Sequence, residues 1–121
     1  MGWMRHHAIV VTCWNEEDIK AAHREAELIF HAVTPITPPG VNGYRSFMIP
    51  PDGSKEGWSE SHQGDKEREK FKEYLRSTVY PDDGSGPLDW CEVQFGDDDL
   101  ATLVIDDSDK DVRIRKDKDQ S

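Results

Sequence analysis

Residues 6 to 14, HHAIVVTCW, form a near-continuous apolar and β-branched run, and NEEDIKAAHREAELIFHAV follows it with no linker between. This junction constrains the fold more than any other stretch. A run of that kind fits a central strand covered on both faces better than an alternating edge strand. Asn15 stands where a helix N-cap belongs, and Glu16, Glu17 and Asp18 complement the positive end of the helix dipole. Trp14 and Ile19 have the spacing of a hydrophobic staple. Ile19, Ala22, Ala26, Ile29 and Val33 recur at helical spacing and give one apolar face. A strand followed at once by a one-faced helix predicts a helix packed on a sheet.

The helix must stop before TPITPPG, where Pro35, Pro38 and Pro39 remove backbone donors. YRSFMIP then reads as a second strand, with Tyr44, Ser46 and Met48 on one face and Arg45, Phe47 and Ile49 on the other. Pro50 and Pro51 end it, PPDGS has the chemistry of a tight turn, and KEGWS returns as a short third strand. A second helix is expected from about Ser61 to Ser77. Phe71, Leu75 and Val79 are its buried anchors, and the remaining circumference is charged and solvated. PDDGSGP is a loop. LDWCEVQF alternates as a strand, GDDD turns, LATLVI is another strand, and VRIR beyond DDSDKD is its hairpin partner.

The last strands are joined by turns too short for crossovers, so the sheet is mostly antiparallel. The order predicts an α+β two-layer sandwich with both helices on one face, loosely ferredoxin-like with an extra C-terminal strand or hairpin. The alternative is a mixed sheet whose second face is closed by a partner chain, burying Trp90 and Tyr44 between subunits. A length of 121 residues gives one domain, with its core at about 6–115 and a frayed tail at 116–121. Met4 is an alternative start to Met1.

A net charge of −10 opposes nucleic-acid binding, which needs clustered cations to displace counterions. No apolar run reaches the length of a membrane span, and MGWMRHH lacks the apolar centre of a signal peptide, so the expected location is cytoplasmic. Cys13 and Cys91, with no CxxC pairing, are expected to be reduced, buried, structural thiols.

Most chemical motifs fail on spacing. His6 and His7 are adjacent on a strand and point to opposite faces, and His23, His31 and His62 have no ligand spacing with them, so no metal site is expected. Neither histidine has the distance to Thr12 that a two-histidine phosphoesterase needs. Asp107, Asp109 and Asp111 imitate the start of a calcium loop, but Val112 stands at the glycine position and Lys118 at the terminal acid. No P-loop, GxSxG or dinucleotide fingerprint occurs. No catalytic residue and no cofactor is expected.

The segment VNGYRSFMIPPDGSKEGW, residues 41 to 58, differs from the rest. Its two basic residues balance two acids, and residues 35 to 58 hold five of the seven prolines and four of the nine glycines. Such residues restrict a loop and let backbone approach a ligand. Arg45 and Lys55 offer charge, Tyr44 and Trp58 stacking faces, and Asn42 and Ser54 hydrogen bonds, the ingredients of a pocket for a flat anionic molecule such as a nucleotide. A crossover with Phe47 and Trp58 in the core and Arg45 paired to an acid accounts for the same residues.

HHAIVVTCW, VNGYRSFMIPPDGSKEGW, SESHQGD and PLDWCEVQFGDD together resemble a group of small uncharacterised bacteriophage proteins, over most of residues 6 to 99. The resemblance carries no catalytic residue. It implies a protein working in the host cytoplasm, of the kind that counters defence by binding a host protein or sequestering an immune signal. The leading expectation is a non-enzymatic binding protein for an anionic, nucleotide-like ligand, with a homo-oligomer among its assemblies. An acidic inhibitor or DNA mimic that blocks a basic host partner is the alternative, and a metal-dependent hydrolase using Asp97 to Asp99 is the third reading.

Overall fold

The computed structural model describes residues 5–54, 57–80, 86–96 and 101–108. Within them the order is β1 (His6–Cys13), α1 (Glu16–Ile29), β2 (Arg45–Ile49), α2 (Ser59–Ser77), β3 (Asp89–Phe95) and β4 (Leu103–Asp107). The strands form one antiparallel sheet in the order β2-β1-β3-β4. Both helices lie on one side of it, which is the expected α+β two-layer arrangement.

β1 is central, as its apolar run requires, but the helices cover only one of its faces. Ile9, Val11 and Cys13 point under the helices and are fully buried, whereas Val10, on the other face, is 36% exposed. The expectation of cover on both faces is therefore corrected for the described residues. The run is apolar on both sides because β1 sits between two strands, and its outward residues lie among outward residues of those neighbours.

α1 starts where its cap is placed. The Asn15 side-chain oxygen accepts from the backbone N–H groups of Glu17 and Asp18, at 3.0 and 3.1 Å. Ile19, Ala22 and Ala26 are fully buried, and Ile29 and Val33 pack at the margin of the core. The helix ends at Ile29, a turn earlier than the apolar spacing suggests.

The proline-rich stretch after α1 protects the sheet edge. Thr34 and Thr37 each donate a backbone N–H to β2, to Met48 and Ser46 at 3.0 and 2.9 Å, and their hydroxyls accept from the N–H groups of the same two residues. Side-chain oxygens thus satisfy donors that a neighbouring strand would otherwise take, which blunts an exposed edge. His23 of α1 holds this stretch through Thr34 O at 2.9 Å and meets Phe47 edge to face.

α2 begins at Ser59, two residues before the expected start, and Gly57 and Trp58 form a turn leading into it rather than a strand. The other part of the proposed KEGWS strand, at 55–56, lies outside the described residues, as does VRIR. Phe71 and Leu75 are buried, but Val79 lies beyond the helix and is 48% exposed. Phe71 stacks on Tyr74 and meets Phe30 edge to face. Trp90 is 5% exposed under the helices, so the core of its own chain buries it, not a second subunit.

Candidate functional site

Of the six residues singled out in segment 41–58, the five that are described do not converge. Asn42, in a single 3-10 turn at Val41–Gly43, has φ 60°, and Gly43 follows at φ 77°. Tyr44 (40% exposed) and Arg45 follow at the start of β2. Ser54 and Trp58 lie beyond the other end of that strand, whose five residues separate the groups by about 13 Å at 3.3 Å per residue. Lys55 lies outside the described residues.

The two ends are built differently. At the far end Asp52 accepts from the Ser54 backbone N–H at 2.9 Å and from its hydroxyl at 2.6 Å, so Ser54 is spent on closing the PPDGS turn. Burial pushes the Asp52 carboxyl up, but the Ser54 hydrogen bonds and the Arg68 charge outweigh it and hold the group below its ordinary range. This turn rests on α2 at Gly64, where a Cβ would stand 3.2 Å from the Asp52 carboxylate and 3.1 Å from Arg68 Nη1. Trp58 sits at the helix N-cap position and is 46% exposed.

At the near end Arg45 Nη1 lies 3.1 Å from Glu16 Oε1, and Lys20 Nζ lies 2.7 Å from the same oxygen. Lys20 first and Arg45 second hold the Glu16 carboxyl below its ordinary range. The Arg45 Nε is buried and has no hydrogen-bond acceptor. Pairing of Arg45 with an acid is what the crossover reading requires; the leftover donor is not.

A second constellation, which the sequence reading missed, lies between α2 and the β3–β4 side of the sheet. Arg68, Lys72 and Arg76 recur every four residues along α2 and face Glu92 of β3 and Asp106 of β4. Glu92 is 3% exposed, Lys72 4%, Arg68 7% and Asp106 8%. Lys72 Nζ lies 2.6 Å from Glu92 Oε1, 3.1 Å from Asp106 Oδ2 and 2.7 Å from Glu69. Arg68 Nε lies 3.3 Å from Glu92 Oε2 and the same side chain pairs with Asp65. Arg76 Nη2 lies 2.5 Å from Asp106 and its guanidinium sits 5.0 Å over the Trp90 ring. His7 Nδ1 approaches Glu92 Oε2 at 3.6 Å.

The electrostatics favour the charged forms of Glu92, Asp106 and Lys72. Burial raises Glu92, but the His7 imidazole beside it, the hydrogen bond from Lys72 and the charges of Lys72 and Arg68 reverse that and hold it low. Asp106 is held low in the same way by Arg76 and Lys72. Burial depresses Lys72, and Glu69, Glu92 and Asp106 together turn the shift upward. A lysine held protonated among carboxylates is neither nucleophile nor base. The constellation is a structural tie, made of charges that satisfy one another.

The remaining expectations sort quickly. Cys13 is buried and burial pushes its thiol up, which suits a structural role, while Cys91 is only half-buried, on the side of the sheet away from the helices. Among the described residues no three His, Cys, Asp or Glu side chains are grouped to hold a metal, and Asp97–Asp99 lie outside them. Among the described residues no helix is long and apolar enough to cross a membrane. Comparison with known protein families, with curated proteins and with solved structures finds no match.

Proposed function

We propose that this chain is a non-enzymatic binding protein that recognises an anionic small molecule, such as a nucleotide signal, at the Asn42–Arg45 end of β2. One observation carries the reading: a buried guanidinium donor, Arg45 Nε, has no acceptor. A buried donor left unmade costs about 1–3 kcal/mol, which favours a ligand that draws the side chain out from its cover and accepts from Nε. Asn42 and Gly43, both with left-handed backbone, lead directly into this end of β2. Ser54 and Trp58 have no part in this smaller site, since the length of β2 separates them from it. Glu16 supplies the competition: a ligand must share Arg45 with it or displace it.

A counter-defence role in a phage-infected cell is part of the same proposal and rests on the resemblance described above. The test is calorimetric titration against cyclic and linear nucleotides. The reading expects one of them to bind and Arg45→Ala to weaken it roughly 10- to 100-fold, the loss of a charge-assisted hydrogen bond worth about 1.5–3 kcal/mol. No heat with any of them overturns it.

A further inference from the structure

The side of the sheet away from the helices has its own composition. Strand register sets Met48, Val10, Cys91 and Asp107 in one row across it, with Ala8, Val93 and Val104 in the next. Ser46, Thr12 and Asp89 form the row at one end, and His6 with Phe95 the row at the other. The centre is thus apolar. Val10 is 36% exposed and Val104 61%, while Met48, Cys91, Val93 and Phe95 are half-buried. Among the described residues both helices pack on the opposite side, with Phe71 and Leu75 in the core beneath them.

The footprint of four strands, about five residues long, is on the order of 300 Å². The largest contiguous apolar patch on a typical monomer is about 300–600 Å² and is often functional. We propose that a second copy of this chain docks there, face to face, about a two-fold axis that runs the two sets of strands in opposite directions.

Charge selects this occupant. Each copy carries a net charge of −10, so most approaches of one copy to another are repulsive. The centre of this face holds one charged residue, Asp107 on the edge strand β4, and the polar residues of its two end rows differ. Asp89 lies in the row at one end and the His6 ring in the row at the other. The opposed two-fold sets the His6 row of each copy against the Asp89 row of its partner, imidazole N–H toward carboxylate, and an isologous interface repeats the contact twice. The parallel alternative would set acid against acid. The footprint is smaller than the roughly 800 Å² per partner of a standard interface, so the association is of the weak, concentration-dependent kind.

Sedimentation velocity of the full chain over a dilution series tests this. The expected result is a mass rising with concentration from 13.8 kDa toward twice that value. Val10→Asp and Val104→Asp, each at a position already exposed, are expected to hold the chain at the monomer mass while its circular dichroism spectrum and melting stay unchanged. A wild-type chain that stays monomeric up to millimolar concentration overturns the proposal. So does an association that survives both substitutions in folded protein. Neither result bears on nucleotide binding at Arg45, which calorimetry on the same samples reads separately.

Discussion

The two halves of the helix-covered sheet face are closed by opposite chemistry. Over β1 and β2, α1 packs with small and branched side chains: Ile19, Ala22 and Ala26 share a buried cluster with Ile9, Val11, Phe47 and Ile49, and the Arg45–Glu16 pair stands only at its margin, on a half-exposed Glu16. Over β3 and β4, α2 brings Arg68, Lys72 and Arg76 onto Glu92 and Asp106. A single row of the sheet makes the change visible, running Ile49, Ile9, Glu92, Asp106 from one edge to the other. Apolar packing is indifferent to pH and tolerant of small errors in position. A buried ion cluster is neither, because each member is tolerable there only while its partners remain charged.

The largest expected effect comes from removing one charge on the ionic side. Glu92→Leu leaves Lys72 and Arg68 buried without their shared carboxylate, and should destabilise the fold by about 3–5 kcal/mol in urea unfolding. An effect below about 1 kcal/mol would mean that the cluster is solvated and that the two halves are not so different.

Acid should separate the halves next. Glu92 and Asp106 have folded-state pKa values below their ordinary ones. Their contribution is therefore complete above the unfolded-state values, about 4.3 and 3.9, and is lost as pH falls through the lower folded-state values. Lys72 is shifted upward, so its contribution is complete below about 10.4 and is lost only as pH rises through its higher folded-state value. Acidification below about pH 4 should thus open the α2 side first, with α2 amides losing hydrogen-exchange protection before those of α1. Simultaneous loss in both helices would show the sandwich to be one cooperative unit.

What was legible in the sequence follows the same division. The α1 half could be read because each signal is local: Asn15 before three acids, then apolar residues at helical spacing. Phe71 and Leu75 were legible for the same reason. Arg68 and Lys72 were not, since charged residues on a helix are ordinarily solvated and only their cross-sheet partners make burial tolerable. A signal was nevertheless present. Three cations repeat every four residues beside Phe71 and Leu75, and Glu92 alternates in step with Trp90, which is buried. Segment 41–58 shows the converse difficulty. Its residues are close in sequence, but an extended strand carries them to opposite ends of the sheet edge, and Asp52 and Ser54 are used in closing a turn. Proximity in sequence identified the segment, and strand geometry divided it.

The claim that α2 is held by mutual neutralisation is tested most directly by a double-mutant cycle on Lys72→Met and Glu92→Leu, read by urea unfolding at neutral pH. Each single change leaves a buried charge short of one partner, whereas the double change replaces a fully buried pair with apolar side chains of similar size. The account predicts a double mutant more stable than the sum of the singles implies, with a coupling on the order of 1–3 kcal/mol. Additivity to within about 0.5 kcal/mol would contradict it.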